Sequence, residues 1–319
     1  MQQLNDVFIG VDVAKAELVI ALHGSAQRPL AVPNEERAIE AWLSTLSPCS
    51  FVAMESTGRY HGLLARLAQR AGHRVYVLNA RDVKCYAQAL GTRGKTDRVD
   101  SLVIARYIAE LHECLHEWAG DDTVHSRLSE LLRRRASVAT HFSAVRQTMK
   151  GVPGMDKALA QLALQHKAFL ASIDQEVARL IGTQADLKAC AARLATIPGV
   201  GPQTSAMLAA LFGRITFVSS DAAVAYSGLD PRPNDSGAKR GRRRLSKKGP
   251  PELRRQMWLA GFAATRSKAL KPLYQALRAR GLSTTAAIVA LGRKLLRIAY
   301  AVWKTKRPFD LSQVGVPKV

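Results

Sequence analysis

The stretch Val7-Phe-Ile-Gly-Val-Asp-Val-Ala-Lys-Ala-Glu-Leu-Val-Ile-Ala-Leu-His23 decides the fold of the first part of this chain. Two runs of β-branched and aliphatic residues flank a short polar turn, which predicts a β-hairpin. Residues 51–55 and 74–78 predict two further short strands, and the apolar spacing over residues 35–46 and 62–71 is helical. Because strands alternate with helices here, we expect a layered α/β domain.

The rest of the chain is predicted to be mainly helical. Residues 96–115 have helical spacing, and residues 123–182 are almost wholly helical apart from Gly-Val-Pro-Gly at 151–154. The apolar residues of the longer segment predict two helices that fold back on each other or pack on a partner chain, and we interpret them as a coiled-coil spacer. We therefore predict three parts: an α/β domain (residues 1–120), a helical linker (121–190) and a helical domain (191–319).

Positive charge is concentrated in the second part of the chain. The 319 residues hold 47 Lys and Arg against 25 Asp and Glu, a formal net charge of +22. Residues 1–120 contain 13 of each kind, so the remaining residues, with 34 basic against 12 acidic side chains, carry the whole excess. A folded body this positive attracts polyanions, because each neutralised phosphate releases condensed counterions. Nucleic acid is the leading partner. The alternative is a membrane surface, although the basic residues do not line one amphipathic helix.

Signals for membrane insertion or secretion are not found in the sequence. No apolar run approaches the ~18 residues of a membrane span, and the first residues lack the regions of a signal peptide. We expect a cytoplasmic protein without a membrane partner. The four cysteines, Cys49, Cys85, Cys114 and Cys190, stand far apart, and we predict buried free thiols instead of zinc ligands or disulfides.

Four acids of the neutral part are candidate metal ligands. Asp12 lies inside the first predicted strand, Glu55 ends a later one, and Asp97 and Asp100 are three apart on a helix, which places them on one face. Acids in apolar strands are costly unless they are paired or bind a cation, and clustered carboxylates suit Mg²⁺ or Mn²⁺. Two such ions can stabilise both oxygens of a phosphodiester displacement. Helix caps or salt-bridge partners are the alternative interpretation of these acids.

Residues 195–208 predict a helix, a tight turn and a second helix. Gly199 and Gly201 permit a close or left-handed backbone, and the start of the second helix offers free N–H groups to a phosphate. The pattern looks like a helix-hairpin-helix, which would bind the sugar-phosphate backbone. An ordinary helix turn is the alternative.

The segment from Ala238 to Arg255 is the most basic in the chain, with nine Lys or Arg against one acid. Such a run is typical of a solvated phosphate-binding face. Ser236 precedes it, and a hydroxyl held there could attack a phosphodiester while cations stabilise the charge that builds up on phosphorus. Ser227 and Ser246 are rival nucleophiles. The residues predicted to bind nucleic acid, besides the two glycines of the turn, are Lys239, Arg240, Arg242, Arg243, Arg244, Lys247 and Lys248.

Five segments together resemble one known family. They occur in the order Gly10-Val-Asp-Val-Ala-Lys15, Ala53-Met-Glu-Ser-Thr-Gly-Arg-Tyr60, Lys95-Thr-Asp-Arg-Val-Asp100, Ile197-Pro-Gly-Val-Gly201, and Gly228-Leu-Asp-Pro231 through Ser236-Gly237 to Gly249. This combination resembles the DEDD recombinases of bacterial insertion sequences, relatives of the pilin-gene invertase, which use a structured bridge RNA to choose target and donor DNA.

The resemblance implies a fold, a reaction and a set of partners. It implies a ribonuclease-H-like, RuvC-like first domain with a mixed sheet flanked by helices, a coiled-coil linker, and a transposase domain that contains the helix-hairpin-helix. Asp12, Glu55, Asp97 and Asp100 would bind Mg²⁺ or Mn²⁺, and Ser236 would form a transient covalent link to a DNA strand. The implied partners are target and donor DNA, a guide RNA, and further copies of the chain as dimers that pair into tetramers.

Two other functions remain open from the sequence. The chain could be a metal-dependent junction nuclease or ribonuclease in which the acids activate water and Ser236 takes no part. It could also be a non-catalytic scaffold that binds nucleic acid through the glycine turn and the basic segment.

Overall fold

The fold divides into two compact units, Met1–Asp121 and Asp122–Val319, which are described separately. A computed structural model describes residues 6–313, with the exception of residues 57–59, 92–96, 119, 121–123, 234, 237–240 and 242.

The first unit contains a five-stranded mixed sheet. Its strands are β1 (Phe8–Val13), β2 (Glu17–Leu22), β3 (Leu30–Pro33), β4 (Phe51–Glu55) and β5 (Arg74–Leu78), in the order β3-β2-β1-β4-β5. The first three strands pair antiparallel, whereas β4 is parallel to both β1 and β5. This topology confirms the predicted hairpin and is compatible with a ribonuclease-H-like domain.

Helices cover both faces of this sheet. They are α1 (Glu36–Leu43), α2 (His61–Arg70), α3 (Ala80–Ala89) and α4 (Asp97–Leu111), and a 3-10 helix follows at His112–Cys114. The side chains of Ile9, Val11 and Val13 on one face of β1 belong to the core that contains α1 and α2. Phe51 and Ala53 of β4 face the other way and pack with α4. The period-2 alternation of a strand therefore sorts its residues between two cores.

The second unit is mainly helical. Its elements are α5 (Val124–Thr148), α6 (Asp156–Gly182), α7 (Ala185–Ala195), α8 (Pro202–Arg214), α9 (Ser220–Ser227), β6 (Pro231–Arg232), β7 (Arg244–Leu245), α10 (Pro251–Ala264), α11 (Lys271–Ala279), α12 (Thr284–Thr305) and a 3-10 helix at Leu311–Gln313. No described helix is both long and apolar enough to cross a membrane.

The two long helices of the predicted linker are joined to the core of this unit at one end. Leu128 and Leu132 of α5 and Val177 of α6 belong to the same buried cluster as α8 and α12. The Arg135 guanidinium binds both carboxylate oxygens of Asp174, at 2.5 and 2.7 Å, and so ties α5 to α6. The remote ends of these helices, which we call the arm (residues 142–169), leave large apolar side chains exposed. The three-part division and the coiled coil stay predictions.

The cysteine prediction was partly wrong. All four cysteines are free thiols, but Cys49, Cys85 and Cys114 are exposed and only Cys190 is partly buried. Their places in the fold outweigh the preference of a thiol for burial. Cys49 lies in the turn before β4 with a φ of 59°, and Cys114 lies in the 3-10 helix that follows α4.

Candidate active site

Asp12 and Glu55 are neighbours on adjacent parallel strands. The register pairs Gly10 with Ala53 and Val11 with Met54, so the next positions along the two strands are Asp12 and Glu55. Neighbouring strands lie about 4.8 Å apart, and directly opposed residues share a face of the sheet. Both acids are partly exposed. Two carboxylates therefore lie side by side at the carboxyl edge of the sheet, where ligands bind in open α/β folds.

Helix α4 crosses the same face. A methyl group added at Gly10 would lie 2.1 Å from the backbone nitrogen of Ala105 and 2.3 Å from the carbonyl oxygen of Ser101, so the helix rests directly on the strand. Farther back along β1, the ring centroids of Phe8 and His112 are 5.0 Å apart. These contacts show that α4 runs opposite to β1. Its first turn, which contains the partly exposed Asp100, therefore lies at the carboxyl edge.

We call this arrangement of Asp12, Glu55 and the first turn of α4 the acid edge. The backbone of Asp97 begins α4, but its side chain lies outside the described residues. Among the side chains that the structure describes, no three His, Cys, Asp or Glu residues come close enough together to hold a metal ion. The structure thus brings β1, β4 and the start of α4, which contain the predicted acids, to one edge of the sheet. The described side chains do not form a complete set of metal ligands there. Carboxylate oxygens are the donors that Mg²⁺ and Mn²⁺ prefer, so the donor set fits such an ion.

Asn34 forms hydrogen bonds with both chain segments that follow β1 and β4 at the acid edge. Its side-chain nitrogen donates to the carbonyl oxygen of Ala14 at 2.9 Å and to that of Tyr60 at 3.4 Å. Its backbone nitrogen donates to the carbonyl oxygen of Ala16 at 2.9 Å. Ala14 follows Asp12 by two residues, and Tyr60 lies in the connection after Glu55. Asn34 is not predicted from the sequence because it follows β3, a four-residue strand without a recognisable pattern.

The predicted serine lies in a hairpin. Strands β6 and β7 pair antiparallel, with Arg232 opposite Arg244, and we call the described residues from Pro231 to Leu245 the basic hairpin. Arg243 donates to the carboxylate of Asp235 at 2.5 Å, and the backbone nitrogen of Gly241 donates to the same oxygen at 3.0 Å. The Arg243 guanidinium accordingly holds the pKa of the Asp235 carboxyl below its usual range. These bonds join the two sides of the hairpin next to Ser236, which is exposed.

The three candidate serines differ in accessibility. Ser227 is fully buried, and its hydroxyl donates to the carbonyl oxygen of Val224 at 2.7 Å and accepts from the backbone nitrogen of Leu229 at 3.3 Å. Ser246 is partly buried and donates to the carboxylate of Asp230. Ser236 is therefore the most accessible of the three hydroxyls.

The glycine turn connects α7 to α8 and packs on α10. Gly199 has a φ of 90°, and a methyl group there would lie 2.5 Å from the carbonyl oxygen of Ala260, so this glycine is needed for close packing. Gly201 precedes α8, and a methyl group there would meet nothing within 4 Å. Of the two glycines, Gly201 is the one with free space around it. A role of this turn in phosphate binding stays a prediction.

The other residues predicted to bind nucleic acid are only partly described. Arg243, Arg244, Lys247 and Lys248 are exposed. Lys239, Arg240 and Arg242 lie outside the described residues.

Comparisons with known proteins identify the chain as a transposase, an enzyme that recombines DNA. A model of DEDD-type transposases matches residues 9–152, and a model described as "Transposase IS116/IS110/IS902 family" matches residues 191–275. The two matches lie in chain order, and each covers one of the regions that contain the predicted site residues. The chain belongs to the IS110 family of insertion-sequence transposases.

Curated relatives agree with this assignment. The chain is 28% identical to the pilin gene-inverting protein of Moraxella lacunata over 323 residues, which cover 96% of this chain and 98% of the relative. The protein of the same name from Moraxella bovis has the same identity and coverage. The transposase for insertion sequence element IS1328 of Yersinia enterocolitica is 26% identical over 79% of this chain and 81% of the relative.

Proposed function

We propose that this transposase is an RNA-guided DNA recombinase that cuts and rejoins strands with its acid edge and the Ser236 hydroxyl. The observation that carries the proposal is the position of Asp12 beside Glu55, under the first turn of α4. Three predicted acids from separate parts of the sequence share one edge of the sheet. A set of unrelated caps or surface ion pairs would not require such a convergence.

Asp12, Glu55, Asp97 and Asp100 would together hold Mg²⁺ or Mn²⁺. When bound, such an ion would supply Lewis-acid stabilisation of the charge that develops on the phosphate oxygens. The chain itself supplies the carboxylates and fixes two of them on paired strands. Because backbone hydrogen bonds hold a strand rigidly, the separation of Asp12 and Glu55 is set before DNA binds.

Ser236 would act as the nucleophile. Its Oγ forms a bond to phosphorus while the bond from phosphorus to the sugar oxygen of the departing strand breaks, and the serine proton passes through solvent to that oxygen. Attack by the hydroxyl of the incoming strand reverses these changes and releases the serine. The exposure of Ser236 and the surrounding positive charge support this role, because guanidinium groups stabilise a developing phosphorane charge.

The excess of positive charge in residues 121–319 supports binding of DNA and a guide RNA together. The experiment that tests guidance is sequencing of the nucleic acid that copurifies with the full-length protein. We expect one structured RNA species in amounts comparable to the protein. A heterogeneous mixture of RNA and DNA fragments would contradict guidance and favour the junction nuclease.

The arm is proposed to join copies of the chain. Met155, Leu162 and Phe169 recur every seven residues, the spacing of one seam position of a coiled coil, and they are 36%, 42% and 54% exposed. They lie beside His166, whose ring stacks on Phe142 of α5 at 4.0 Å, so the stripe flanks the contact between the two helices. An exposed stripe of this kind is stabilised by packing against a second copy.

We expect that the double substitution Leu162→Glu and Phe169→Glu converts the assembly into smaller species, because it places charge in the seam. Light scattering coupled to size-exclusion chromatography measures the change. Leu164→Glu is the matched control, since Leu164 is 69% exposed but lies on the opposite side of the helix. If the double variant and Leu164→Glu lower the molecular mass of the assembly equally, the proposed seam is wrong.

Asn34 is proposed to position the acid edge. We expect Asn34→Ala to weaken Mn²⁺ binding by roughly ten-fold, because residues that orient ligands typically contribute 10- to 100-fold to affinity. Titration of Mn²⁺ followed by electron paramagnetic resonance measures the affinity without DNA.

Asn79→Ala is the control for a purely structural effect of Asn34→Ala. Asn79 caps α3 in the same unit by accepting from the backbone nitrogen of Arg81 at 2.9 Å, and loss of such a cap costs about 1 kcal/mol. If both variants bind Mn²⁺ as the unaltered protein does, Asn34 has no positioning role. If the unaltered protein binds no Mn²⁺, the proposed metal site is wrong.

A further inference from the structure

Three side chains four residues apart form a column that begins on α10 and extends just past the end of this helix. The rings of Trp258 and Phe262 are nearly parallel, with an angle of 2° between their planes and 5.5 Å between their centroids. The Arg266 guanidinium carbon lies 4.7 Å from the centroid of the Phe262 ring. Phe262 is 37% exposed, and Arg266 is also exposed. We call these residues the aromatic column.

The aromatic column is not part of the packing that holds α10 in place. The buried side of this helix consists of Leu253, Met257, Ala260, Gly261 and Ala264. A methyl group added at Gly261 would lie 2.6 Å from the carbonyl oxygen of Ile288, so α10 already packs tightly on α12. At 100° per residue, Phe262 points away from this side, and Arg266 follows the end of the helix and is exposed. Core packing therefore does not explain why aromatic rings are stacked here.

The surroundings of the aromatic column are positively charged. Residues 250–271 contain five basic side chains, Arg254, Arg255, Arg266, Lys268 and Lys271, and the single acid Glu252. Arg255, Lys268 and Lys271 are exposed, and Arg255 projects from the same side of α10 as Phe262. An exposed ring stacked on a partly exposed one, in a segment where cations outnumber acids, matches the chemistry of a nucleic-acid strand whose bases are unpaired, because bases stack on the rings and phosphates pair with the cations.

We propose that the aromatic column stacks on an unpaired nucleobase of a single-stranded segment, which is either part of a guide RNA or an opened DNA strand. The inference rests on the proposed function, since recombination exposes unpaired bases and a guide RNA contains them. The base extends the stack of Trp258 and Phe262, and Arg255 and Lys268 contact the adjoining phosphates. Arg266 stacks on the base or turns to a phosphate, because guanidinium planes do both.

The test measures binding of the full-length protein to fluorescent oligonucleotides with divalent cations removed by chelation, so that neither the metal nor Ser236 affects the result. The probes are a 20-nucleotide oligouridylate, a 20-nucleotide oligothymidylate and a 20-base-pair DNA duplex. Phe262→Leu removes the aromatic ring but keeps an apolar side chain. Phe262→Trp keeps a ring and is the matched control.

We expect Phe262→Leu to weaken single-strand binding about ten-fold, as is typical for the loss of one stacked base, and to leave duplex binding unchanged. The salt dependence should stay the same because no charge is removed. Phe262→Trp should bind as the unaltered protein does. Loss for RNA alone, for DNA alone or for both identifies the source of the base. Equal binding by all three proteins, or an equal loss on the duplex, would overturn the proposal while leaving the acid edge and Ser236 untouched.

Discussion

Asp12→Asn is expected to lower the rate of DNA strand cleavage by about a thousand-fold or more. Asparagine has the same shape as aspartate but lacks its charge and binds a divalent cation weakly. Loss of the several kcal/mol that a metal ion supplies to phosphoryl transfer corresponds to a decrease of this size, at about 1.4 kcal/mol per factor of ten. Single-turnover cleavage of a labelled target, in the presence of donor DNA and guide RNA, measures the rate.

The control for this experiment is Glu113→Gln. Glu113 is an exposed acid in the 3-10 helix after α4, beside His112, whose ring packs on Phe8 and Phe51 at the starts of β1 and β4, so its substitution removes one negative charge at the other end of these strands from Asp12. We expect it to keep the cleavage rate within a few-fold of the original. The thermal unfolding of Asp12→Asn should stay close to that of the unaltered protein because Asp12 is partly exposed and the substitution is isosteric. A folded Asp12→Asn protein that cleaves normally would contradict the role of the acid edge.

In the first unit, the sequence predicts where the strands lie along the chain better than which strands are adjacent in the sheet. Residues 74–78 were predicted as a strand and form β5, because β-branched residues bounded by a glycine and an asparagine are a strong local signal. The pairing of β1 with β4 is a property of the tertiary structure. Strands β2 and β3 and helix α1 intervene along the chain, so local periodicity cannot show that Asp12 and Glu55 are neighbours.

Elements with weak periodicity were missed. Strand β3 has four residues, and three of them are exposed, so no alternation of buried and exposed positions marks it. Helix α3 has a single buried residue, Val83, and gave no apolar stripe, although the Asn79 cap before it is a recognisable signal. Asn34 lies in the connection between β3 and α1. Because β3 is not predicted, the position of Asn34 next to the ends of β1 and β4 is not predicted either.

The choice among the three serines also depended on packing. Each lies in a sequence typical of turns, and local sequence does not distinguish them. Ser227 is buried because it ends α9 and is followed by Gly228, whose φ of 68° lets the chain turn under the base of the basic hairpin. Which serine is accessible thus depends on where the hairpin begins, and the local sequence does not reveal that position.

The reaction we propose needs groups from both units. The first unit supplies the carboxylates and is close to neutral, and the second supplies the serine and the positive charge. Loss of the serine should therefore leave DNA binding and Mn²⁺ binding intact while it stops strand exchange, and loss of an acid should leave DNA binding intact.

Ser236→Ala is expected to abolish the covalent link between protein and DNA and to lower strand exchange on the order of 10⁴-fold or more, as the removal of a nucleophile typically does. The measurement is denaturing gel electrophoresis of the protein incubated with a nicked, labelled substrate, in which the unaltered protein should retain label. The hydroxyl is exposed, so alanine should not disturb the fold. Thermal unfolding and DNA affinity should equal those of the unaltered protein.

The rival serines provide the controls and distinguish recombination from hydrolysis. Ser246→Ala removes a hydrogen bond to Asp230 but should keep the covalent adduct. Ser227→Ala leaves the buried nitrogen of Leu229 without its acceptor, which costs about 1–3 kcal/mol, so it should unfold at a lower temperature and still form the adduct below that temperature. If Ser236→Ala cleaves DNA as fast as the unaltered protein, water is the nucleophile, and the acid edge belongs to a nuclease. If the adduct instead persists in Ser236→Ala but disappears in Ser246→Ala, Ser246 is the nucleophile. Of the three candidate serines, Ser246 is the other one whose hydroxyl is partly accessible.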